Sequence, residues 1–102
     1  MDPHRRAELR SLAYHRAIAA LLLAEPALLE RARRRVTAWQ RAGEVHPHYS
    51  ELWARVLALP VDEIGRALVA ETEAMTAARQ STPFAGTLPA RERWRIFRSL
   101  EP

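Results

Sequence analysis

Apolar residues recur at helical spacing through most of this chain, and no stretch alternates apolar and polar residues as a half-buried strand would. From Pro3 to about Ala24, Leu9, Leu12, Ala13, Ala20 and Leu23 share one helical face. After Ala17 the other faces turn apolar as well, through Ile18, Leu21 and Leu22. A helix wet on one side does not need that. Its second half is therefore expected either at the centre of a bundle or under another chain. A second helix starts with Pro26 in its first turn, carries a stripe of Leu28, Leu29, Ala32, Val36 and Trp39, and ends at Gly43, a residue suited to a left-handed C-cap. His46-Pro47 opens a third, with Tyr49, Leu52, Trp53, Val56 and Leu57 on one side. Pro60 stops it and starts a fourth, lined by Ile64 and Leu68, with Asp62 and Glu63 in the favourable first turn. Around Glu71-Thr72 that helix either continues or breaks and resumes, with Thr72 as N-cap and Met75 pointing inward. Ser81 to Leu88 is a loop punctuated by Pro83 and Gly86. The last helix, from about Pro89 to Leu100, puts Ala90, Trp94 and Phe97 on one face and Ile96 on the opposite one. The pattern predicts an all-α fold: a compact bundle of about five helices, with a Pro/Gly loop before the last.

With 102 residues the chain has room for a single helical domain, 1–102, and one modest core. Cysteine is absent, which removes disulfides, thiolate nucleophiles and thiolate metal sites, and fits a reducing cytoplasm. The longest apolar run, Ala17 to Ala24, falls far short of the roughly 20 residues of a membrane span. No cofactor-binding pattern is apparent.

All sixteen basic residues are arginine, and the net charge of +4 is unevenly spread. Residues 26–43 carry five arginines against one acid, residues 44–78 two against six, and residues 79–102 five against two. The acids of the third and fourth helices are expected to balance the basic second helix, which leaves the C-terminal excess free for a partner.

Several constellations invite a chemical reading and support a plainer one. His46-Pro47-His48 has no second cluster to complete a metal site and sits where a helix cap belongs. Arg10 to His15 and Arg41 to His46 both show the Arg-x4-His spacing of helical HEPN ribonucleases, but sixteen arginines and four histidines make such spacings common by chance. The paired acids Asp62/Glu63 and Glu71/Glu73 read as complements to helix dipoles. Without a phosphate loop or a nucleophile–base set, catalysis is not expected.

The unusual stretch is residues 79–102. Guanidinium groups and rings stand together there on a backbone bent by Pro83, Gly86 and Pro89. Trp94 and Phe97 are expected to close the bundle. Arg79, Gln80, Phe84, Arg91, Arg95 and Ile96 then remain for a partner, and arginine with aromatic groups is what interface hot spots are enriched in.

Two blocks carry a family resemblance. Ala24-Glu-Pro-Ala-Leu-Leu-Glu-Arg-Ala-Arg33 leads to a Trp and a Gly-containing turn; Arg79-Gln-Ser-Thr-Pro-Phe-Ala-Gly86 is followed by Arg91-Glu-Arg-Trp94. Together they resemble small helical antitoxins encoded beside nucleotidyltransferase-type toxins in bacterial, especially actinobacterial, toxin–antitoxin operons. The resemblance implies a cytoplasmic protein that binds and silences its toxin without catalysis of its own. It also implies that the cationic, aromatic C-terminal segment meets an acidic cleft. Two alternatives stand beside it: a small nucleic-acid-binding transcriptional regulator, and a structural subunit that self-assembles through the apolar end of helix one.

Overall fold

The computed structural model describes residues 2–101. Each helix begins and ends at a chemically legible signal. Helix α1, Pro3–Leu21, is capped by the Asp2 carboxylate, which accepts the Arg5 N–H at 2.9 Å, with proline in its first turn. Helix α2, Ala27–Ala42, ends at Gly43 in the left-handed region (φ 68°), whose N–H reaches the Trp39 carbonyl at 2.8 Å. A side chain other than glycine is strained there, so the position marks the helix stop in the sequence itself.

The ring of His46 accepts the His48 N–H at 3.1 Å and opens α3, Pro47–Leu57. His46 therefore serves as the helix cap, and His48 supplies the backbone N–H it holds. Helix α4, Val61–Leu68, follows Pro60. The chain then breaks, and Thr72 caps α5, Glu73–Ala78, by accepting the Met75 N–H at 3.2 Å. A 3-10 turn over Arg79–Ser81 leads into the Pro/Gly stretch, and α6 spans Ala90–Ser99. The break at Val69–Thr72 makes six α-helices among the described residues, where the pattern predicted about five. No strand is present among the described residues.

Helices α2 and α3 pack against each other, and α1 packs against α4, the 3-10 turn and α6. The core at their centre is built on Trp53, Ile64, Leu68 and Ala78, all fully buried, with Ala32, Leu22 and Phe84 nearly so. The Trp53 indole N–H donates to the Ala78 carbonyl at 3.1 Å, so its one polar atom is satisfied inside. The Trp53 and Phe84 rings meet edge to face at 6.3 Å, and the His15 imidazole lies against both. The radius of gyration, 13.4 Å, is that of one folded body of this length.

Helix α1 is rotated from the expected face. Leu12, His15, Ile18 and Leu22 are buried, whereas Ala20 and Leu23 face solvent, Leu23 at 77% exposure. The apolar groups after Ala17 thus supply the bundle centre through Ile18 and Leu22. No helix among the described residues is long and apolar enough to cross a membrane.

The arginines of α2 are spent differently from the expected balance against acids. Arg33 donates through Nε and Nη2 to the Leu57 carbonyl, both at 3.1 Å, and through Nη1 to Glu30 in its own helix. It satisfies an orphan carbonyl at the end of α3, where a cation is also favoured by the dipole. Arg35 donates to the carbonyls of Pro83 and Ala85 at 3.1 and 2.7 Å and pins the loop before α6 onto α2. The acids of α3 and α4 are not their partners.

Candidate partner-binding face

Three of the expected partner contacts are internal. Arg79 is 3% exposed; its guanidinium donates to the carbonyls of Leu68 at 3.2 Å and Ala70 at 2.7 Å, and to the Thr76 hydroxyl at 3.3 Å. These carbonyls stand at and just beyond the end of α4, so the group is held by the polar end of a helix in place of a carboxylate. Burial lowers the Arg79 pKa, Glu71 opposes that shift, and Arg16 adds to it. Phe84, at 2% exposure, is part of the ring cluster around Trp53, and its backbone N–H donates to the Thr82 hydroxyl at 3.1 Å. Ile96, at 8%, is the buried residue of α6. The expectation that Arg79, Phe84 and Ile96 contact a partner is corrected: the fold itself uses all three.

The assignment of the two faces of α6 is inverted. The side carrying Ile96 turns inward and continues the buried Leu88 that precedes the helix. Trp94, expected in the core, is 60% exposed. A core already holding the Trp53 and Phe84 rings takes a compact aliphatic side chain more readily than a further indole. Trp94 instead stacks on half-buried Phe97, with centroids 5.7 Å apart and planes at 16°. The Arg10 guanidinium, arriving from α1, stands 5.7 Å from the Phe97 centroid and adds a cation–π contact. The result is a two-ring platform on the surface, cemented to α1.

Around this platform Arg91, Arg93, Arg95 and Arg98 are exposed. Arg95 is paired in a forked contact with Glu92 one turn earlier, which lowers the Glu92 pKa and raises that of Arg95. Arg91, Arg93 and Arg98 make no ion pair among the described residues. Of the six expected contacts, Arg91 and Arg95 therefore lie on the outer face of α6. Gln80 is exposed apart from them, at a cleft between α1 and the 82–88 loop. Trp94, Phe97, Arg10, Arg93 and Arg98 were absent from that set. Local pattern did not point to them. The surface neighbours of Trp94 on a helix are Ala90, Arg91, Phe97 and Arg98, whereas Ile96 is flanked by Glu92, Arg93, Ser99 and Leu100. Both positions carry two charged neighbours, so neighbour polarity does not mark Trp94 as the wetter.

The Arg10–His15 spacing brings no catalytic pair together. His15 is 2% exposed; its Nδ1 lies 2.7 Å from the Ser11 carbonyl and its Nε2 2.8 Å from the Thr82 hydroxyl. Because the carbonyl can only accept, Nδ1 carries the proton and the Thr82 hydroxyl donates to Nε2. Both ring nitrogens are committed. Burial pushes its pKa down to about 4, opposed by the bond to Ser11. Among the described residues no group of three or more His, Cys, Asp or Glu side chains is placed to hold a metal ion.

Comparison with protein-family models, with curated proteins and with solved structures finds no match to this chain.

Proposed function

We propose that this chain is a non-catalytic, antitoxin-type binding protein that silences a partner nucleotidyltransferase through the outer face of α6. The observation that carries the reading is Trp94: a large ring, 60% exposed, stacked on Phe97 and edged by Arg91 and Arg98. An indole held rigidly on a surface loses little entropy when a partner covers it, and Trp and Arg dominate interface hot spots. Burying the remainder of that ring stabilises a complex by roughly 2–4 kcal/mol. The resemblance in the Arg79–Gly86 and Arg91–Trp94 blocks supplies the partner class. Such enzymes hold acidic metal-binding residues in a cleft, and cationic Arg91, Arg93 and Arg98 complement that charge.

The experiment is co-expression with the product of the adjacent gene, which this reading requires to be a nucleotidyltransferase. Co-purification and loss of its RNA-modifying activity support the reading. Separate elution, with the enzyme still active, refutes it.

A second reading is favoured by the same stacked rings: arginines beside exposed aromatics also suit a single-stranded nucleic acid. Its mark is affinity for an oligonucleotide that falls with salt by about 0.7 log units per log unit for each phosphate contacted. Affinity for the protein partner that persists at ~150 mM salt, where the oligonucleotide is released, decides for the antitoxin reading.

A further inference from the structure

Between α1, the 3-10 turn, the 82–88 loop and α6 lies a half-open cleft of about 170 Å³. Its floor is apolar, formed by the buried side chains of Ile18, Phe84 and Leu88. Its lining includes two guanidinium-bearing residues from different helices, Arg10 on α1 and Arg93 on α6, and Tyr14. No carboxylate lines it. Neither arginine has an ion-pair partner among the described residues. His15, also in the lining, is kept uncharged by burial and offers no counter-charge.

Two cationic residues line this cleft and no acid does, so its charge favours an anion there. Inorganic anions have no use for an apolar floor. An organic acid uses both parts. An apolar cavity of about 150 Å³ admits a benzene ring, so the volume here suits a single ring or a short branched chain beneath the charged group.

We infer that this cleft is a binding site for a small free carboxylic acid, with Arg10 and Arg93 taking the carboxylate and Ile18, Phe84 and Leu88 taking a stem no larger than one ring. Arg10 is held for this role by the Phe97 ring, which fixes its guanidinium without neutralising it. The site adjoins the outer face of α6 and shares Arg93 with it, whereas Trp94, Arg91 and Arg98 lie outside its lining; it does not rest on the antitoxin reading.

The test is a titration of the full chain, followed by ¹H–¹⁵N correlation spectra, with phenylacetate, its neutral isostere phenylacetamide, and inorganic phosphate. Phenylacetate is expected to bind saturably with a roughly millimolar dissociation constant, shifting the amides of residues 10–18 and 84–88. Phenylacetamide, and phenylacetate with the Arg93→Gln variant, are each expected to bind about tenfold more weakly or not at all. Arg93 is exposed, so that variant is expected to fold as the parent does. A second variant, Ala7→Leu, fills the cleft from α1 and is expected to abolish binding. The inference is overturned by the absence of a saturable shift, by equal binding of the amide, by equal binding of phosphate, or by unchanged affinity in both variants.

Discussion

His15 and Thr82, 67 positions apart, share a hydrogen bond of 2.8 Å that ties α1 to the loop before α6. Thr82 donates to the imidazole while accepting the Phe84 N–H, so one hydroxyl holds the histidine tautomer and the loop together. The folded protein therefore favours neutral His15, and the unfolded chain binds its proton first. Stability is complete above the unfolded pKa of 6.5 and is lost as pH falls toward the folded value of about 4. The loss attributable to His15 amounts to about 2 kcal/mol by pH 5 and about 3 kcal/mol by pH 4. Urea unfolding at pH 7, 5 and 4 measures it; a stability unchanged from pH 7 to pH 5 would rule out a buried neutral histidine.

Thr82→Val removes that hydroxyl and strands two buried groups, the His15 Nε2 and the Phe84 N–H. The expected cost is about 2 kcal/mol. Equal stability of Thr82→Ser and the parent, beside a destabilised Thr82→Val, assigns the effect to the hydroxyl.

Arg79 holds the carbonyls of Leu68 and Ala70 and the Thr76 hydroxyl. Truncation to methionine leaves these acceptors without a donor, at an expected cost of about 2–4 kcal/mol. Lysine does not rescue it fully, because a single ammonium cannot reproduce the fork. Thermal unfolding reads both variants, and a midpoint within about 2 °C of the parent for Arg79→Met would contradict the structural role.

Arg35 draws the carbonyls of Pro83 and Ala85 toward α2. In Arg35→Ala the loop loosens, and the Thr87 amide, bonded to the Phe84 carbonyl at 3.0 Å, exchanges its hydrogen faster. Protection at Trp53 and Ile64 in the core is expected to change far less. Uniform loss of protection across the chain would mean the contact supports the whole fold.

Sequence pattern revealed the helices because their boundaries are local chemistry. Gly43, His46-Pro47 and Pro60 each act on atoms within four residues, and each acts where the pattern put it, while the Thr72 cap resolves a break the pattern left open. The inward stripe of α2 was equally legible, since the residues around it are largely charged. Pattern failed on α6, where apolar residues occupy opposite sides and only the shape of the remaining core selects between them. It failed again on the arginines. Arg33, Arg35 and Arg79 end on backbone carbonyls 24, 50 and 11 positions away, at places that exist only once the chain has folded. Excess cation read from a segment's composition therefore overstated what the surface has to offer: Arg79 is internal and Arg95 is paired.

The inversion of α6 separates stability from binding, and one pair of variants reads both. Ile96→Ala opens the core and is expected to cost about 2–4 kcal/mol. Trp94→Ala, on the outer face, is expected to stay within about 0.5 kcal/mol of the parent. Calorimetric titration of the proposed nucleotidyltransferase partner with Trp94→Ala is the most direct trial. Affinity at least tenfold weaker than the parent's, with the thermal midpoint preserved, is the predicted result. Parental affinity, or a variant that unfolds, would contradict the account.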